Sequence, residues 1–414
     1  MVFGLIATNT PSLTSLIDSS GIKITRQSLH EHFNQEAVVF LQQILTHIQQ
    51  LCISNKRIDV YLLKHFKRVL IYDSSWWKVH KKLSRIFPGF GGVTSEALCK
   101  LQLGYDYLRG HIESFAITKG TKNDASYSDE LVERTGKKDL ILVDLGYFST
   151  GFFSKINDKG AYFISKLKTG VKILEPITGK EINLVKALKK TLCTEFESNI
   201  ILYSEKSGDR IKCRLIGARV PKEVAEKRRR KHKKTAKSKG STPKKDSLFL
   251  CGWTLMITNV SEKILPTEKV FDLYMIRWQI ELVFKQFKST LQIDKVTSKD
   301  KNRLLCEIYG RLIAAIVITT IHGFLNSKML KEKGVEVSLE KFFKRFQERV
   351  FMLMGVLLIS LKKTIFFLYK EIKKCLGNCI KLKQRSRLTS LERVNYANKV
   401  GFSKLNLCKL TLLT

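Results

Sequence analysis

Residues 137–149, KKDLILVDLGYFS, contain a run of apolar, β-favouring residues that stops at Asp144. A similar run, KRVLIYDSSWW at 67–77, stops at Asp73. Uninterrupted apolar strands are typical of a sheet covered on both faces, and binding sites open at the ends of such strands. These stretches therefore predict an α/β fold in which two buried strands each end in a carboxylate.

Two further strand patterns and one helix pattern lie between these runs. ALCKLQLGYDYL and HIESFAITKG have looser strand patterns. SDELVERTG has two acids in its first turn, where they suit the helix dipole, and Ser128 is its predicted N-cap. The predicted order is strand, strand, strand, helix, strand.

The charge balance indicates a polyanionic partner. The chain has 414 residues and 44% hydrophobic content, enough for a large core and for two or three domains. Its 74 Lys and Arg exceed its 37 Asp and Glu, which gives a formal net charge of +37. Nucleic acid is the first candidate partner, and an anionic membrane surface is the second.

No membrane span is predicted. The apolar runs 311–321 and 350–361 are shorter than the ~20 residues that cross a bilayer, so we interpret them as buried core helices. Residues 1–13 lack the charged and apolar regions of a secretory signal. The nine cysteines are scattered, and no histidine completes a zinc site beside Cys375 and Cys379. We therefore expect reduced thiols and a cytoplasmic protein.

Three other regions surround the predicted core. Residues 1–60 have helical patterns with Thr25 and Asn34 as N-caps, which suit a DNA-binding helix-turn-helix and, equally, any small bundle. Residues 152–258 divide into short strand-like pieces, which predict an antiparallel β-rich insertion. Residues 331–414 are predicted to be helical and basic.

One segment of the predicted insertion is strongly basic. Residues 227–245, KRRRKHKKTAKSKGSTPKK, contain eleven Lys or Arg and no acid. Such a run cannot pack internally, so we predict a basic loop that is solvated or held against phosphate. A disordered loop and a DNA clamp are compatible alternatives, and we favour the clamp.

The stretch YMIRWQIELVFKQFKS supplies a third carboxylate. As one helix over 273–289, it has an apolar stripe on one side and a polar face on the other. The stripe contains Ile276, Ile280, Val283 and Phe287, and the polar face contains Tyr274, Arg277, Trp278, Glu281, Lys285 and Lys288. An ordinary surface helix with i,i+4 ion pairs, worth ~0.2–0.5 kcal/mol each, is the alternative interpretation.

Asp73, Asp144 and Glu281 together match the needs of two-metal phosphoryl transfer. Two divalent ions can activate a water or a 3'-hydroxyl and stabilise the leaving oxygen. Carboxylate oxygens suit Mg2+, with Mn2+ as a substitute, and the sequence has no His/Cys cluster that favours zinc. The cations on the Glu281 helix would then bind the neighbouring phosphates.

The spacing around Glu281 resembles a known signature. Four positions match Y-x2-R-x3-E-x6-K, the signature of bacterial DDE transposases of the insertion-sequence-four family, namely Tyr274, Arg277, Glu281 and Lys288. Asp73 in IYDSS and Asp144 in VDLGYFS are similar to the first and second Asp of that family. Ser75 and Leu145 replace the commoner Thr and Arg, and both changes leave the carboxylates in place.

The resemblance implies a domain organisation. It implies an RNase H-like catalytic domain, a mixed sheet flanked by helices, over 61–151 and 259–330. This domain is interrupted by the insertion at 152–258, and the helical regions at 1–60 and 331–414 flank it, the first as a DNA-binding region.

The resemblance also implies a reaction. In such enzymes, hydrolysis nicks the element end, the 3'-hydroxyl forms a hairpin with the other strand, and the reopened end joins target DNA. The implied partners are double-stranded DNA, as terminal inverted repeats and target, and a second copy of the chain when two ends are bound. The implied location is the bacterial cytoplasm, at the nucleoid.

Several residues are expected to contact DNA. By resemblance, Tyr274, Arg277 and Lys288 hold phosphates at the hairpin end. Trp253 is similar to a residue that stacks on a flipped base, with a core tryptophan as the alternative. The expected DNA-binding residues are Tyr274, Arg277, Lys285, Lys288, Trp253, Lys227, Arg228, Arg229, Arg230, Lys231, Lys233 and Lys234.

Two other functions remain open from the sequence. A different RNase H-like, structure-specific endonuclease would need the three acids but not the Tyr, Arg and Lys spacing. A decayed transposase could act as a DNA-binding repressor without catalysis. The presence of all three acids argues against decay.

Overall fold

The chain forms two compact units in a computed structural model that describes residues 12–20, 23–51, 61–91, 95–296, 298–359, 377–381 and 408–409. The first unit takes its described residues from 1–59, 70–122 and 278–387. The second unit takes its described residues from 60–69, 123–277 and 388–414. Helices and strands of both types are present, so the α/β class is confirmed.

The first unit contains a largely antiparallel sheet. Its strands are β1 (Val69–Lys78), β2 (Pro88–Gly91), β3 (Ser95–Asp106) and β4 (His111–Lys119). Strand β3 pairs antiparallel with β1, β2 and β4. The predicted strands around 67–77 and at both patterns before residue 120 are confirmed.

Asp73 does not end its strand. Strand β1 continues to Lys78, and Asp73 lies opposite Leu103 in the antiparallel register with β3. Residues 69–72 are buried, whereas Asp73 is the first half-buried residue. The prediction of a strand end was therefore wrong, because continued pairing with β3 extends β1 beyond the point where burial on both faces ends.

Helices of the first unit cover its sheet. They are α1 (Leu13–Ser20), α2 (Arg26–Glu31), α3 (Gln35–Leu51), α10 (Trp278–Ser289), α11 (Lys301–Lys333) and α12 (Leu339–Ile359). In the described part of the chain, α11 is long and apolar enough to span a membrane, but 83% of its most apolar window is buried inside the protein. Residues 311–321 thus belong to a core helix, as predicted. The run at 350–361 lies outside the residues whose side chains are described.

The amino-terminal helices begin at the predicted caps. The Thr25 hydroxyl accepts from Ser28 N at 3.1 Å, and Asn34 Oδ1 accepts from Ala37 N at 2.9 Å. Helix α3 contacts α11, where Gln42 Nε2 donates to the Tyr309 hydroxyl at 2.6 Å. These helices therefore pack onto the first unit, and their DNA contact stays a prediction.

The close approach of α11 to the β3–β4 turn depends on two glycines. Gly110 has φ +67°, in the region that favours glycine. A Cβ at Gly323 in α11 would lie 2.8 Å from Arg109 O and 2.9 Å from Gly110 O. A larger residue at 323 would therefore push the helix away from the hairpin.

The second unit contains a mixed sheet. Its strands are β5 (Leu140–Val143), β6 (Tyr162–Lys166), β7 (Lys172–Leu174), β8 (Glu195–Tyr203), β9 (Arg210–Arg219), β10 (Trp253–Thr258) and β11 (Cys408–Lys409). Its helices are α4 (Ser128–Arg134), α5 (Thr150–Asp158), α6 (Leu184–Lys190), α7 (Lys222–Ser238), α8 (Lys245–Leu250) and α9 (Thr267–Met275).

The segment predicted as an insertion is only partly antiparallel. Strand β6 pairs parallel with β5, with Leu140 opposite Tyr162, because α5 carries the chain back between the two strands. From β6 onward the pairs β6–β10, β10–β9, β9–β8 and β8–β7 are antiparallel, as predicted. The boundaries 61–151, 152–258 and 259–330 stay predictions.

Two local predictions differ from the structure. Ser128 does not cap α4; a 3-10 turn over 124–127 precedes the helix, and the Ser128 hydroxyl donates to Ala125 O at 2.7 Å. Cys193 forms a disulfide, contrary to the expectation of reduced thiols. The cysteines that the structure describes as free are Cys99, Cys213, Cys251, Cys306 and Cys379.

The carboxyl-terminal prediction is tested over a short length only. Within the predicted helical region 331–414, the structure describes the last residues of α11 and the helix α12. Most of residues 360–414, including Cys375, lies outside the described residues.

Candidate active site

The helix predicted over 273–289 is two helices. Helix α9 ends at Met275 and α10 begins at Trp278. Between them the backbone tightens, because Ile276 N bonds to Leu273 O at 3.1 Å and Arg277 N to Tyr274 O at 3.0 Å. The prediction of a single polar face is therefore wrong: Tyr274 lies in the last turn of α9 and Arg277 between the helices, whereas Trp278, Glu281, Lys285 and Lys288 belong to α10. The predicted apolar stripe is confirmed, since its four members are buried.

Tyr274 is an interior residue of the second unit. Its side chain is 4% exposed, and its hydroxyl donates to Val143 O at 3.2 Å. Lys166 Nζ lies 5.8 Å from the centre of its ring, and the Arg277 guanidinium carbon lies 6.0 Å from it. Tyr274 thus ties the end of α9 to the residue before Asp144, between two cations.

Asp144 lies immediately beyond the end of β5, as predicted. It is half-buried and extended, at φ −84° and ψ 171°, and its side chain does not cap the 3-10 turn over 145–147. The parallel register continues from Leu142 opposite Ile164, so Asp144 is level with Lys166 at the end of β6. The carboxylate and the amine therefore belong to the same sheet edge.

Sequence reasoning missed Lys166. The signal was present, since the run YFIS is another apolar strand that stops at a charged residue. Only the parallel pairing of β5 with β6 reveals that this strand end belongs beside Asp144.

Asp73 is half-buried in the first unit. Its Oδ1 accepts a hydrogen bond from Ser74 N at 2.8 Å. Strand β1 thus fixes both the position of the acid and one of its oxygens.

Helix α10 reaches the same strand. Lys288 Nζ donates to Trp76 O at 3.4 Å, three residues beyond Asp73 on β1. Glu281 lies two turns before Lys288 on the same face of α10, and both residues are half-buried. The face that carries Glu281 and Lys288 therefore contacts β1.

Lys285 is exposed but paired. Its Nζ lies 3.3 Å from Glu340 Oε2 on α12. Hydrogen bonds from Lys344 and Lys285 hold the pKa of Glu340 below its usual value. A phosphate would compete with Glu340 for Lys285, and the predicted DNA contact stays a prediction.

The donor chemistry of Asp73, Asp144 and Glu281 fits a hard divalent cation, since all three offer carboxylate oxygens. Among the described residues, however, no group of three or more His, Cys, Asp or Glu side chains is arranged to hold a metal ion. Asp73 and Glu281 belong to the first unit and Asp144 to the second. The three-carboxylate metal site stays a prediction.

Trp253 is a core residue in this structure. It is 5% exposed at the start of β10, with the Phe196 ring at 5.7 Å and the Arg219 guanidinium carbon 5.0 Å from its ring centre. Its carbonyl accepts from Arg228 Nη1 at 3.0 Å. Trp253 therefore occupies the position of a core tryptophan, the alternative given by the sequence. Its ring could stack on a base only if the residues that cover it moved away.

The basic segment predicted as a loop is helical over most of its length. Helix α7 covers 222–238, and α8 begins at Lys245. The prediction was wrong because Lys and Arg are good helix formers, and one face of α7 has partners. On that face Ala225 is buried, and Arg229 Nε donates to Leu248 O at 3.1 Å.

The opposite face of α7 carries exposed cations. Arg228, beside the packed face, bonds Trp253 O and Thr254 Oγ1, and exposed Arg230 lies 3.6 Å from Glu226. The other exposed cations that we predicted to bind DNA are Lys227, Lys231, Lys233 and Lys234. The helix thus presents a row of charge to solvent while its inner face fixes its position.

The chain is similar to proteins of one type. Residues 64–317 match the family described as "Transposase DDE domain". The transposase of insertion sequence IS231F from Bacillus thuringiensis subsp. israelensis is 30% identical over 351 residues, which are 81% of this chain and 73% of the relative. The transposase of IS1151 from Clostridium perfringens is 30% identical over 407 residues, 94% of this chain and 83% of the relative. A solved structure of the piggyBac transposase synaptic complex with hairpin DNA has a TM-score of 0.44 and 12% identity, over 93% of this chain and 76% of that chain.

Proposed function

Because the chain belongs to the DDE transposase family, we propose that it excises an insertion sequence and joins the freed 3'-hydroxyl ends to target DNA. Its substrates are the terminal inverted repeats of its element and the target duplex. A homodimer binds two ends, and the reaction takes place at the bacterial nucleoid.

The contact between the signature tyrosine and the strand of Asp144 is the observation that carries this proposal. Tyr274 donates to Val143 O, so the Y-x2-R half of the signature lies at the end of β5. An ordinary surface helix gives no reason for a tyrosine to be buried there with a cation on each side.

Distances along β1 and α10 support a similar role for the E-x6-K half. Glu281 is seven residues before Lys288, ~10 Å along a helix. Asp73 is three residues before Trp76, ~10 Å along a strand. Since Lys288 contacts Trp76 O, each acid lies a similar distance from that contact, which supports α10 as the helix that carries Glu281 near β1.

We assign the metal ligands to Asp73, Asp144 and Glu281 of an RNase H-like domain. When bound, Mg2+ or Mn2+ polarises the scissile phosphate and lowers the pKa of the attacking water or 3'-hydroxyl. Arg277, Lys166 and Lys288 bind the phosphates on either side of the scissile bond. Tyr274 holds the strand that precedes Asp144 in position. Trp253 accepts a flipped base only if the residues packed around the start of β10 move away from its ring.

The outer face of α7 binds the DNA backbone. Lys227, Lys231 and Lys234 lie on successive turns and are exposed, and a row of such charges follows phosphates without reading bases. Lys285 binds a phosphate at the edge of the site when that phosphate replaces Glu340 as its ion-pair partner.

A cleavage and joining assay tests the function. The terminal repeats are taken from the DNA that flanks the gene, and the full-length protein is incubated with them and with a target plasmid in Mg2+. We expect cleavage at the element ends followed by joined products. Asp144→Asn and Glu281→Gln should abolish both reactions and leave DNA binding largely intact, because each removes one carboxylate charge from the ligand set.

Matched controls are Asp158→Asn and Glu268→Gln, which make the same chemical changes at exposed positions of α5 and α9. Cleavage without joining would favour the structure-specific endonuclease. Specific binding by the wild-type protein without any cleavage would favour the repressor. Full activity in Asp144→Asn or Glu281→Gln would remove the assigned site.

A further inference from the structure

The end of β1 and the loop that leads to β2 expose aromatic and basic side chains together. Trp76 is 46% exposed on β1, and Phe90 is 64% exposed on β2. The exposed cations of this stretch are Lys78, Lys81, Lys82 and Arg85. We call these six residues the basic aromatic surface, and all of them belong to the first unit.

Buried apolar residues fix the loop that carries this surface. Val79, Leu83 and Phe87 are buried, so one side of the loop packs inward at every fourth residue. Backbone hydrogen bonds hold both ends of the loop to β3, from Val79 N to Ala97 O at 3.2 Å and from Leu98 N to Phe87 O at 2.9 Å. The exposed side chains between these anchors are therefore held at defined positions.

The four cations are not neutralised locally. No acid occurs between residues 74 and 95, and among the described residues none of the four cations forms an ion pair. By contrast, exposed Lys155 in the second unit lies 2.6 Å from Asp129. Such a concentration of uncompensated positive charge favours a polyanion as the partner.

The two rings are turned to solvent by the local backbone. On β1, exposed Trp76 alternates with buried Trp77, as successive side chains of a strand do. Phe90 precedes Gly91, which has φ +72° and where an added Cβ would meet no atom within 4 Å. The space beside Phe90 is therefore open to a flat partner, and covering an exposed ring is favourable.

The pairing of the strands gives the size of the surface. Lys78 lies opposite Leu98 and Pro88 lies opposite Ala97, so β1 and β2 flank neighbouring residues of β3. Strands lie ~4.8 Å apart and rise ~3.4 Å per residue, which places the backbones of Trp76 and Phe90 ~15–20 Å apart. A strand of a few nucleotides spans that distance.

From these observations we propose that the basic aromatic surface binds single-stranded DNA, with the cations on its phosphates and the two rings stacked on unpaired bases. Aromatic rings combined with a positively charged groove hold single strands without reading their sequence. A duplex offers this surface only phosphates, because its bases are stacked on one another. A second copy of the chain is a poor partner for these cations, since each copy has a formal net charge of +37.

The surface goes beyond the proposed function, since cleavage and joining do not by themselves require a stacking surface for a free strand. It also holds whether or not the chain cleaves DNA. Its test is therefore separate from the cleavage and joining assay.

The first test compares strands with and without bases. Fluorescence anisotropy measures the affinity of the full-length protein for oligothymidylate and for an abasic oligonucleotide of the same length. Trp76→Ala and Phe90→Ala should each weaken binding to oligothymidylate at least about fivefold, because each removes a stacking partner. Neither should change the affinity for the abasic strand. Replacing the four cations with Gln should weaken binding to both strands, because both carry phosphates.

Phe40→Ala is the matched control. Phe40 is 60% exposed on α3 of the same unit, and α3 contains no Lys or Arg. Its loss should leave both affinities unchanged. Trp76→Phe keeps a ring and should retain most of the affinity for oligothymidylate. Thermal unfolding and sedimentation of every variant identify a loss of folding or a change in self-association.

A second test detects stacking on Trp76 directly. The chain has four tryptophans, so the difference between the wild type and Trp76→Phe isolates the fluorescence of Trp76. Stacking on a base quenches tryptophan fluorescence. We expect saturating oligothymidylate to quench more fluorescence in the wild type than in Trp76→Phe. Equal quenching in the two proteins would show that no base stacks on Trp76.

The outcomes separate this surface from the proposed function. Unchanged affinity for oligothymidylate in both alanine variants, or equal losses for oligothymidylate and the abasic strand, would overturn the proposal. A change in self-association without a change in DNA affinity would assign the surface to a contact between copies and would also overturn it. Weaker oligothymidylate binding by both variants, in a protein whose wild type cleaves no terminal-repeat DNA, would support the surface and count against the transposase proposal.

Discussion

At the scale of single residues, the Tyr274 hydroxyl connects the first residue of the Y-x2-R-x3-E-x6-K signature to β5, the strand that precedes Asp144. The hydroxyl donates to Val143 O, and the ring is buried. We therefore propose that Tyr274 positions Asp144 through the backbone, whereas the family resemblance implies a phosphate contact. The two roles affect different measurable quantities.

We predict that Tyr274→Phe slows cleavage and leaves the affinity for terminal-repeat DNA unchanged. Losing the bond to Val143 O should cost about 0.5–1.5 kcal/mol of stability. A small displacement of a catalytic group can cost up to about 100-fold in rate, so we expect a drop of about tenfold or more. Single-turnover cleavage and equilibrium DNA binding measure the two effects separately.

Tyr309→Phe is the control for this substitution. It removes another buried hydroxyl, the one that accepts from Gln42 in the first unit. It should lower stability to a similar extent without changing the cleavage rate. A Tyr274→Phe variant whose DNA affinity falls while single-turnover cleavage stays normal would show that the hydroxyl binds phosphate instead.

Residue-level prediction succeeded where the cause is local. Asp144 follows its strand because the apolar run ends there, and Thr25 and Asn34 cap their helices through bonds that span three residues. Ser128 failed because a 3-10 turn replaced the expected cap. Local sequence also left Trp253 undecided, since its burial depends on Phe196 from another strand.

At the scale of elements, α7 shows how a highly charged segment can be ordered. Its inner face is tied to α8 and to the start of β10, and its outer face carries the exposed lysines. The number of Lys and Arg residues predicted a solvated segment, and this is correct for the outer face of α7. It could not reveal the inner face, because the partners there are backbone carbonyls such as Leu248 O.

We predict that replacing Lys227, Lys231 and Lys234 with Gln lowers the salt dependence of DNA binding. Each phosphate contact contributes about 0.9 to the slope of log K against log salt, so three should reduce it by about 2.7. Binding should weaken similarly for related and unrelated sequences, since phosphate contacts carry no sequence information. Stability should change by less than about 0.5 kcal/mol because the three side chains are exposed.

A charge-matched triple distinguishes local contact from overall charge. Lys180, Lys206 and Lys263 are exposed elsewhere in the second unit, and their replacement with Gln gives the same net charge. We expect little change in the salt slope for this control. Equal slopes in the two triples would mean that α7 makes no particular contact with DNA.

Element pairing was beyond the sequence in two places. Strand β1 extends past Asp73 because β3 continues to pair with it, and β6 joins β5 because α5 returns the chain in the same direction. Both facts depend on segments far apart in sequence. Periodicity identifies a strand but not its neighbour, so Lys166 could not be assigned to the edge that holds Asp144.

At the scale of the whole molecule, the net charge of +37 makes the folded chain sensitive to added positive charge. The buried side chain of His322 is one place where such a positive charge would be added. His322 on α11 has Nε2 at 2.9 Å from Val337 O, and its Nδ1 has no hydrogen-bond partner among the described residues. Burial lowers the pKa of His322 to about 4 from an ordinary value of 6.5, with Lys381 acting in the same direction.

We predict that acid destabilises the protein through His322. Its folded pKa is depressed, so the unfolded chain binds the proton more readily, and stability present above pH 6.5 is lost as the pH falls toward 4. Between pH 8 and pH 5 the loss is about 2 kcal/mol, or roughly 4–8 °C in melting temperature for a unit of this size. His322→Gln keeps a donor for Val337 O but does not titrate, so its melting temperature should change less over the same range. Parallel pH dependence in the two proteins would assign the acid sensitivity to other groups.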